Sequence, residues 1–127
     1  MKSSFTTILR IILALGLLFF GLNKIFNFVA LFKMPVAAAN FMESLETTGY
    51  VFYAVAALEI IIGGLLLLKK WVPLALILLA PISVNILLFH LFLDVSDILV
   101  ALFLITIHII LIYKYWRAYL PLFQSDY

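Results

Sequence analysis

The sequence predicts an all-α integral membrane protein, an antiparallel four-helix bundle with a short amphipathic helix in its first outer loop. Of the 127 residues, 68% are hydrophobic and only 11% are charged, whereas a soluble domain is about half apolar and about a quarter charged. Four apolar stretches also approach the roughly 20 residues that span about 30 Å of hydrocarbon, at about 5–22, 51–68, 72–93 and 98–116. Because they occupy most of the chain, we expect a single transmembrane domain over 1–127.

The distribution of charge predicts the topology. Two basic residues, Lys24 and Lys33, fall on one side of a four-pass arrangement, and the other six fall on the opposite side. The positive-inside rule counts basic residues near the ends of spans, so both termini are expected in the cytoplasm. The net charge of +2 therefore reports orientation in a lipid bilayer, and no nucleic-acid partner is expected. The six basic residues on the expected cytoplasmic side are Lys2, Arg10, Lys69, Lys70, Lys114 and Arg117.

The absence of cysteine limits the chemistry of this chain. Disulfide exchange, thiolate catalysis and thiolate attachment of haem or iron–sulfur clusters are excluded. A bis-histidine haem is not expected, because His90 and His108 differ in depth by about 9 Å at the helical rise. A metal site is not expected either, because one histidine with one carboxylate provides too few ligands. Any redox role would need a bound cofactor.

The first span carries a face of charged and small residues. On ideal helical geometry one narrow stripe contains Arg10, Ala14, Leu17, Gly21 and Lys24, which predicts that this face turns inward. Two interpretations of Arg10 remain open. Its guanidinium either snorkels to the cytoplasmic headgroups, since it lies near the expected membrane entry, or pairs with a polar group in the interior.

Residues 23–50 form an outer loop that is too long and too apolar for a plain turn. Pro35 fits the first turn of a helix, Phe41 and Leu45 recur at i, i+4, and Gly49 supplies a stop. We therefore expect a short amphipathic helix on the outer surface. It either caps the bundle or lies in the membrane interface.

The second span contains a carboxylate, Glu59, with Gly63 one turn later and Gly64 beside it. An ionised acid at mid-bilayer costs about 2.5 to 3.5 kcal/mol on insertion scales, so Glu59 must be protonated or paired. Glycines let another backbone approach closely. The pattern therefore favours a buried Glu59.

The third span combines the hydrophobicity of a membrane helix with four residues that hydrocarbon disfavours, Pro81, Ser83, Asn85 and His90. Such residues need partners on neighbouring helices, so this segment is expected to face the interior of the bundle. Pro81 removes a helical hydrogen bond and predicts a kink.

Depth places several polar residues near one layer. Counted at about 1.5 Å per residue from the outer boundary, Arg10, Glu59, Asn85 and His108 lie roughly 12 to 18 Å deep, and His90 lies at about 6 Å. These five are the candidate ligand-binding residues, and no catalytic residue is assigned. A Glu–Arg pair with a nearby histidine and asparagine suits a polar head group. The alternative is a hydrogen-bonded network that only fixes helix register.

The chain resembles the DoxX family of small four-helix bacterial membrane proteins over almost its entire length. The most specific parts are the Arg10, Gly21 and Lys24 pattern, the Glu59-x3-Gly63-Gly64 block and the Asn85-x4-His90 block. Four segments carry the resemblance: LRIILALGLLFFGLNKIF, ALEIIIGGLLLL, VPLALILLAPISVNILLFHLFLD and YKYWRAYLPLF.

The resemblance implies a multi-pass protein of the bacterial cytoplasmic (inner) membrane. The family takes its name from a subunit of a thiosulfate:quinone oxidoreductase, which implies a redox-associated subunit that binds a quinone or similar lipid-soluble molecule. The alternative is a non-catalytic accessory subunit that docks to a larger membrane complex. A membrane protein partner and a homo-oligomer both remain open, as does whether the chain is an enzyme.

Overall fold

The computed structural model describes residues 4–27 and 34–126, and all regular structure within them is helical. This confirms the predicted all-α class. The two short 3-10 segments are Val95–Asp97 and Leu120–Phe123. The α-helices are α1 (Ser4–Phe26), α2 (Val36–Thr47), α3 (Val51–Leu67), α4 (Val72–Phe92), α5 (Ile98–Lys114) and α6 (Trp116–Tyr119).

Several of these helices could cross a membrane. By length and composition, α1, α4 and the segment Val95–Lys114 that contains α5 each qualify. A fourth span is possible if α2 and α3, which meet at a 90° bend, count as one broken span. The described part of the chain thus contains three candidate spans, or up to four.

The turns that connect the helices follow local chemistry. At the bend between α2 and α3, Gly49 has φ of +81°, a left-handed conformation that glycine adopts without steric penalty. The hydroxyl oxygen of Thr48 accepts a hydrogen bond from the backbone N–H of Val51 at 3.2 Å, which satisfies one of the free donors at the start of α3. The predicted helix stop at Gly49 is confirmed.

The apolar core lies mainly at the end of the molecule that contains the α3–α4 turn. All four long helices contribute to it, because each is apolar on the face that meets its neighbours. Its most deeply buried members are Leu13, Ala14, Ile62, Leu66, Ala75, Leu76, Leu79 and Leu111.

Two glycines set the distance between α1 and α3. A Cβ added to Gly63 would lie 2.9 Å from the side chain of Leu18 and 3.1 Å from the carbonyl oxygen of Ala14. A Cβ added to Gly21 would lie 2.9 Å from Ile60. Such close backbone approach is the usual role of small residues between membrane helices. A Cβ added to Gly64, by contrast, would have no neighbouring atom within 4 Å among the described residues.

The short helix α2 confirms the predicted helix in the first loop. Its Phe41 ring lies 5.8 Å, between centroids, from the ring of Phe89 near the end of α4. Only Ala38 of α2 is buried. The helix therefore covers the end of α4 through one aromatic contact and leaves most of its own surface exposed.

Candidate functional site

Arg10 binds the end of a neighbouring helix. Its guanidinium donates hydrogen bonds to the carbonyl oxygens of Leu66 and, at 3.2 Å, Leu67. These residues end α3, where the last carbonyls have no helical donor and carry the negative end of the helix dipole. Of the two predicted interpretations, the contacts favour pairing with interior polar groups, because the buried guanidinium binds these backbone carbonyls rather than a carboxylate.

Glu59 pairs with Lys24. Lys24 Nζ lies 2.8 Å from Glu59 Oε1, and the side chains are 25% and 2% exposed. A Cβ added to Gly21, one turn before Lys24, would lie 3.3 Å from the Cβ of Glu59, so this glycine lets α1 pack closely against α3 beside Glu59. The prediction that Glu59 is buried is confirmed. Of the two alternatives, protonated or paired, the structure shows a pair, and the partner is Lys24 rather than the Arg10 that depth had suggested.

His108 links α5 to α4 through both ring nitrogens. Its Nε2 lies 2.8 Å from the carbonyl oxygen of Leu76, and its Nδ1 lies 2.8 Å from Ser83 Oγ. Leu76 directly precedes Ile77, whose carbonyl loses its helical donor because Pro81 has no N–H. The backbone of α4 is therefore rich in acceptors where His108 meets it.

The hydrogen bonds of His108 fix its tautomer. A carbonyl oxygen only accepts, so Nε2 carries the proton and donates it to Leu76. In the neutral ring Nδ1 is then an acceptor, and the Ser83 hydroxyl donates to it. Ser83 Oγ keeps its lone pairs as acceptors. The pair therefore offers an acceptor, rather than a donor, to a neighbouring molecule.

An open groove of about 220 Å³ lies beside this pair, between α4 and α5. We call it the α4–α5 groove. Ser83 and His108 line it together with apolar side chains, which are Ala80, Val84 and Leu87 of α4 and Ile105, Ile109 and Ile112 of α5. The groove is thus an apolar slot with one polar pair.

His90 and Asp94 form a separate cluster at the other end of α4. His90 Nδ1 donates to the backbone carbonyl of Asp94 at 3.2 Å, and Ser96 donates to Asp94 Oδ1 at 3.0 Å. Asp94 is 1% exposed, and its Oδ2, like that of Asp97, is buried without a hydrogen-bond partner among the described residues. This cluster lies at the α4–α5 turn, apart from the α4–α5 groove.

Asn85 points away from the other candidates. Its side chain is exposed, and its amide donates to the carbonyl oxygen of Pro81 at 2.8 Å. The prediction that Asn85 faces the interior is therefore wrong. The reason is that α4 is apolar on all sides, so its sequence does not mark the buried face.

The five predicted residues thus occupy separate places. Arg10 lies at the end of α3, Glu59 on the α1–α3 contact, His108 on the groove, His90 at the outer turn and Asn85 on the surface. Prediction of the site missed Lys24 and Ser83 as partners. Both had a signal: Lys24 shares a helical stripe with Arg10, and Ser83 lies in the polar stretch of α4. Within residues 4–27 and 34–126 no group of three or more His, Asp or Glu residues is placed to hold a metal ion.

The geometry therefore separates two structural contacts from a polar pair beside a groove. The Arg10 and Lys24–Glu59 contacts join α1 to α3, whereas the Ser83–His108 pair borders the open α4–α5 groove. Comparisons with protein-family models, with curated proteins and with solved structures give no significant match.

Proposed function

We propose that this chain is a DoxX-like protein of the bacterial inner membrane that binds a quinone or similar lipid-soluble molecule in the α4–α5 groove. In this proposal α1, α3, α4 and α5 cross the membrane as an antiparallel four-helix bundle with both termini in the cytoplasm. Basic residues are in excess near the start of α1, near the end of α5 and in the α3–α4 turn, and this excess supports the orientation. The redox association follows from the family resemblance alone.

The observation that carries the proposal is the position of the Ser83–His108 pair on an otherwise apolar groove. Ligand sites are mostly apolar with a few placed polar groups that fix orientation. A groove that opens sideways between two membrane helices admits molecules dissolved in the bilayer. Its occupant should therefore be lipid-soluble and carry one polar head.

The size of the groove limits the head group. A cavity of about 150 Å³ holds a benzene molecule, so a groove of about 220 Å³ accommodates one substituted six-membered ring. The groove is smaller than the roughly 300 to 1,000 Å³ of a typical drug-sized site. An isoprenoid tail would therefore extend along the outer surface of the helices into lipid.

The hydrogen bonding of Ser83 favours a hydroxyl-bearing head. Because its own proton is donated to His108, Ser83 Oγ accepts from an incoming O–H without any rearrangement. A carbonyl head would require Ser83 to turn its proton away and leave His108 Nδ1 unsatisfied, which costs about 1 to 3 kcal/mol. The reduced, quinol form of a quinone therefore fits better than the oxidised form.

Extraction of the purified protein tests the proposal. The protein is solubilised in mild detergent, and copurifying small molecules are identified by mass spectrometry for the wild type, Ser83→Ala, Leu87→Phe and Thr106→Ala. Ser83→Ala removes the acceptor and Leu87→Phe fills the groove, so both should lose a ring-bearing lipid that the wild type retains. Thr106→Ala removes an α5 hydroxyl that bonds Leu102 instead, and should retain it.

Two results would contradict the proposal. One is equal content of the same molecule in all four proteins, which would place it elsewhere. The other is a wild type that retains a partner chain but only bulk phospholipid, which would favour the accessory-subunit role.

A further inference from the structure

One polar side chain on the outward surface of α4 is not fully satisfied. Most exposed side chains along α4 and α5 are apolar, and the polar ones near mid-helix are Thr106 and Asn85. The Thr106 hydroxyl donates to the carbonyl of Leu102. Asn85 donates one N–H to the carbonyl oxygen of Pro81, and its second N–H and its Oδ1 make no hydrogen bond within the described residues.

Asn85 lies at the centre of a regular exposed stripe. Successive members are spaced by four and three residues, the a/d spacing of a helix that packs along its length against another helix. All are exposed, so this stripe faces away from α3 and α5. We call it the α4 seam, and it contains Leu74, Leu78, Pro81, Asn85, Leu88 and Phe92.

We propose that the α4 seam binds a second copy of this chain, with the two Asn85 amides hydrogen-bonded to each other across a two-fold axis. The inference rests on the proposal that α4 crosses the membrane. Hydrocarbon supplies no partner for the free amide groups, so a protein surface must cover them. A primary amide is both donor and acceptor, so it is complementary to itself.

The symmetry of a membrane dimer brings the same residues together. Two copies inserted with one orientation are related by an axis along the membrane normal, so their α4 helices run parallel. In a parallel pair each a-position residue faces its own counterpart, and an asparagine at one such position fixes register and favours two strands. Asn85 then meets Asn85, and Pro81 and Leu88 form the adjacent layers of the seam.

Cysteine crosslinking tests the seam directly, because the chain has no cysteine of its own. Purified Leu88→Cys is reconstituted in phosphatidylethanolamine and phosphatidylglycerol vesicles and oxidised with copper phenanthroline. The matched control is Phe103→Cys, which is 57% exposed on α5 and does not line the α4–α5 groove. We expect disulfide-linked dimers at Leu88 and almost none at Phe103, and equal crosslinking at both positions would overturn the proposal.

The amide itself is tested by dimer fractions from single-molecule photobleaching at several lipid-to-protein ratios. Asn85→Leu should weaken dimerisation about three- to tenfold, the range of interhelical hydrogen bonds in membranes, and Asn85→Gln should restore most of it. Thr106→Val should match the wild type. A monomeric wild type at every ratio, or a dimer indifferent to Asn85→Leu, would contradict the inference.

A separate measurement distinguishes failure of the seam from failure of insertion. Carbonate extraction reports whether the chain is integral to the vesicles. Integral but monomeric protein would overturn the dimer alone, whereas extractable protein would overturn the membrane bundle and the dimer together. Crosslinking of Leu88→Cys in cells only to a different protein would also overturn the second-copy assignment.

Discussion

Lys24 of α1 and Glu59 of α3 form an ion pair with 2.8 Å between Nζ and Oε1, and the carboxylate is almost fully buried. The ammonium also lies 6.0 Å from the centre of the Phe20 ring, a favourable cation–π distance. Arg10, on the same stripe of α1, instead caps the end of α3. The two cations of α1 therefore bind α3 at two positions along its length, at Glu59 and at its last carbonyl groups.

The ion pair predicts unequal effects of its two single substitutions. Lys24→Met leaves a buried carboxylate unpaired and should lower the free energy of unfolding by about 3 to 5 kcal/mol. Glu59→Gln should cost less, because the freed lysine can extend toward water. The double variant should recover much of the loss. Unfolding in detergent micelles measures all three.

The same measurement with Arg10→Met tests the choice of partner. A double-mutant cycle for Lys24 and Glu59 should give a coupling above about 1 kcal/mol, whereas the cycle for Arg10 and Glu59 should be additive within about 0.5 kcal/mol. Strong coupling between Arg10 and Glu59 would contradict the observed partner and favour the Arg10–Glu59 pair that depth alone had suggested.

The cap formed by Arg10 predicts local loosening when it is removed. Arg10→Met should lower the free energy of unfolding by about 1.5 to 3 kcal/mol, the contribution of hydrogen bonds to a charged group. Hydrogen exchange should quicken at the N–H groups of Lys69 and Lys70, which donate to the last turn of α3. Arg117→Met is the control, since Arg117 is exposed. Unchanged exchange at the turn would argue against the cap.

Alanine substitution of the two adjacent glycines in α3 should have opposite effects on stability. Gly63→Ala forces α1 and α3 apart, because the new Cβ meets Leu18 and the backbone of Ala14, and overpacking of this kind costs about 1 to 3 kcal/mol. Gly64→Ala meets nothing and should be neutral or stabilising by up to about 1 kcal/mol, since alanine favours helix. Equal melting temperatures for the two variants would contradict the observed packing.

Tyr119 predicts sensitivity to alkaline pH. Its hydroxyl donates to the carbonyl oxygen of Pro73 at 2.8 Å, and burial, with the neighbouring Tyr115, raises its pKa to about 12 from the usual 10.0. Its contribution to stability is complete below pH 10, where the phenol is neutral in both states. That contribution declines as pH rises toward 12, because the unfolded chain releases the proton first.

Tyr119→Phe isolates this contribution. The variant should lose about 1 kcal/mol at neutral pH, and the difference from the wild type should shrink as pH rises above 10. The measurement is the unfolding free energy in micelles at pH 8 and 11, with absorbance at 295 nm to follow ionisation. Tyr113→Phe, at a site that is 77% exposed, should show neither effect.

The helical class and most helix bounds could be predicted because apolar run length is a strong local signal. The structure extends α1 to Phe26, four residues beyond the predicted end, since Asn23 and Lys24 are polar but still helical. That extension matters for the site, because it turns Lys24 from a loop residue into a residue that faces Glu59.

Prediction of the site was less successful for physical reasons. Depth along each helix was used to group the polar residues into one layer. Long side chains such as Arg10 and Lys24, however, reach partners about a turn away, so equal depth does not identify the partner. The second difficulty was to predict which face of the α4 helix is buried. Asn85 and His90 lie about 140° apart on an ideal helix, so only one could face inward, and His90 is the buried one.

The most direct test of the central proposal is the affinity of the groove for the two redox forms of one quinone. A short-tailed ubiquinone analogue is titrated, oxidised and reduced under anaerobic conditions, into wild type, Ser83→Ala and Thr106→Ala in lipid nanodiscs. We expect the wild type and Thr106→Ala to bind the reduced form about tenfold or more tightly than the oxidised form, and Ser83→Ala to lose that preference. Equal binding of both forms, or a preference that survives Ser83→Ala, would contradict the account.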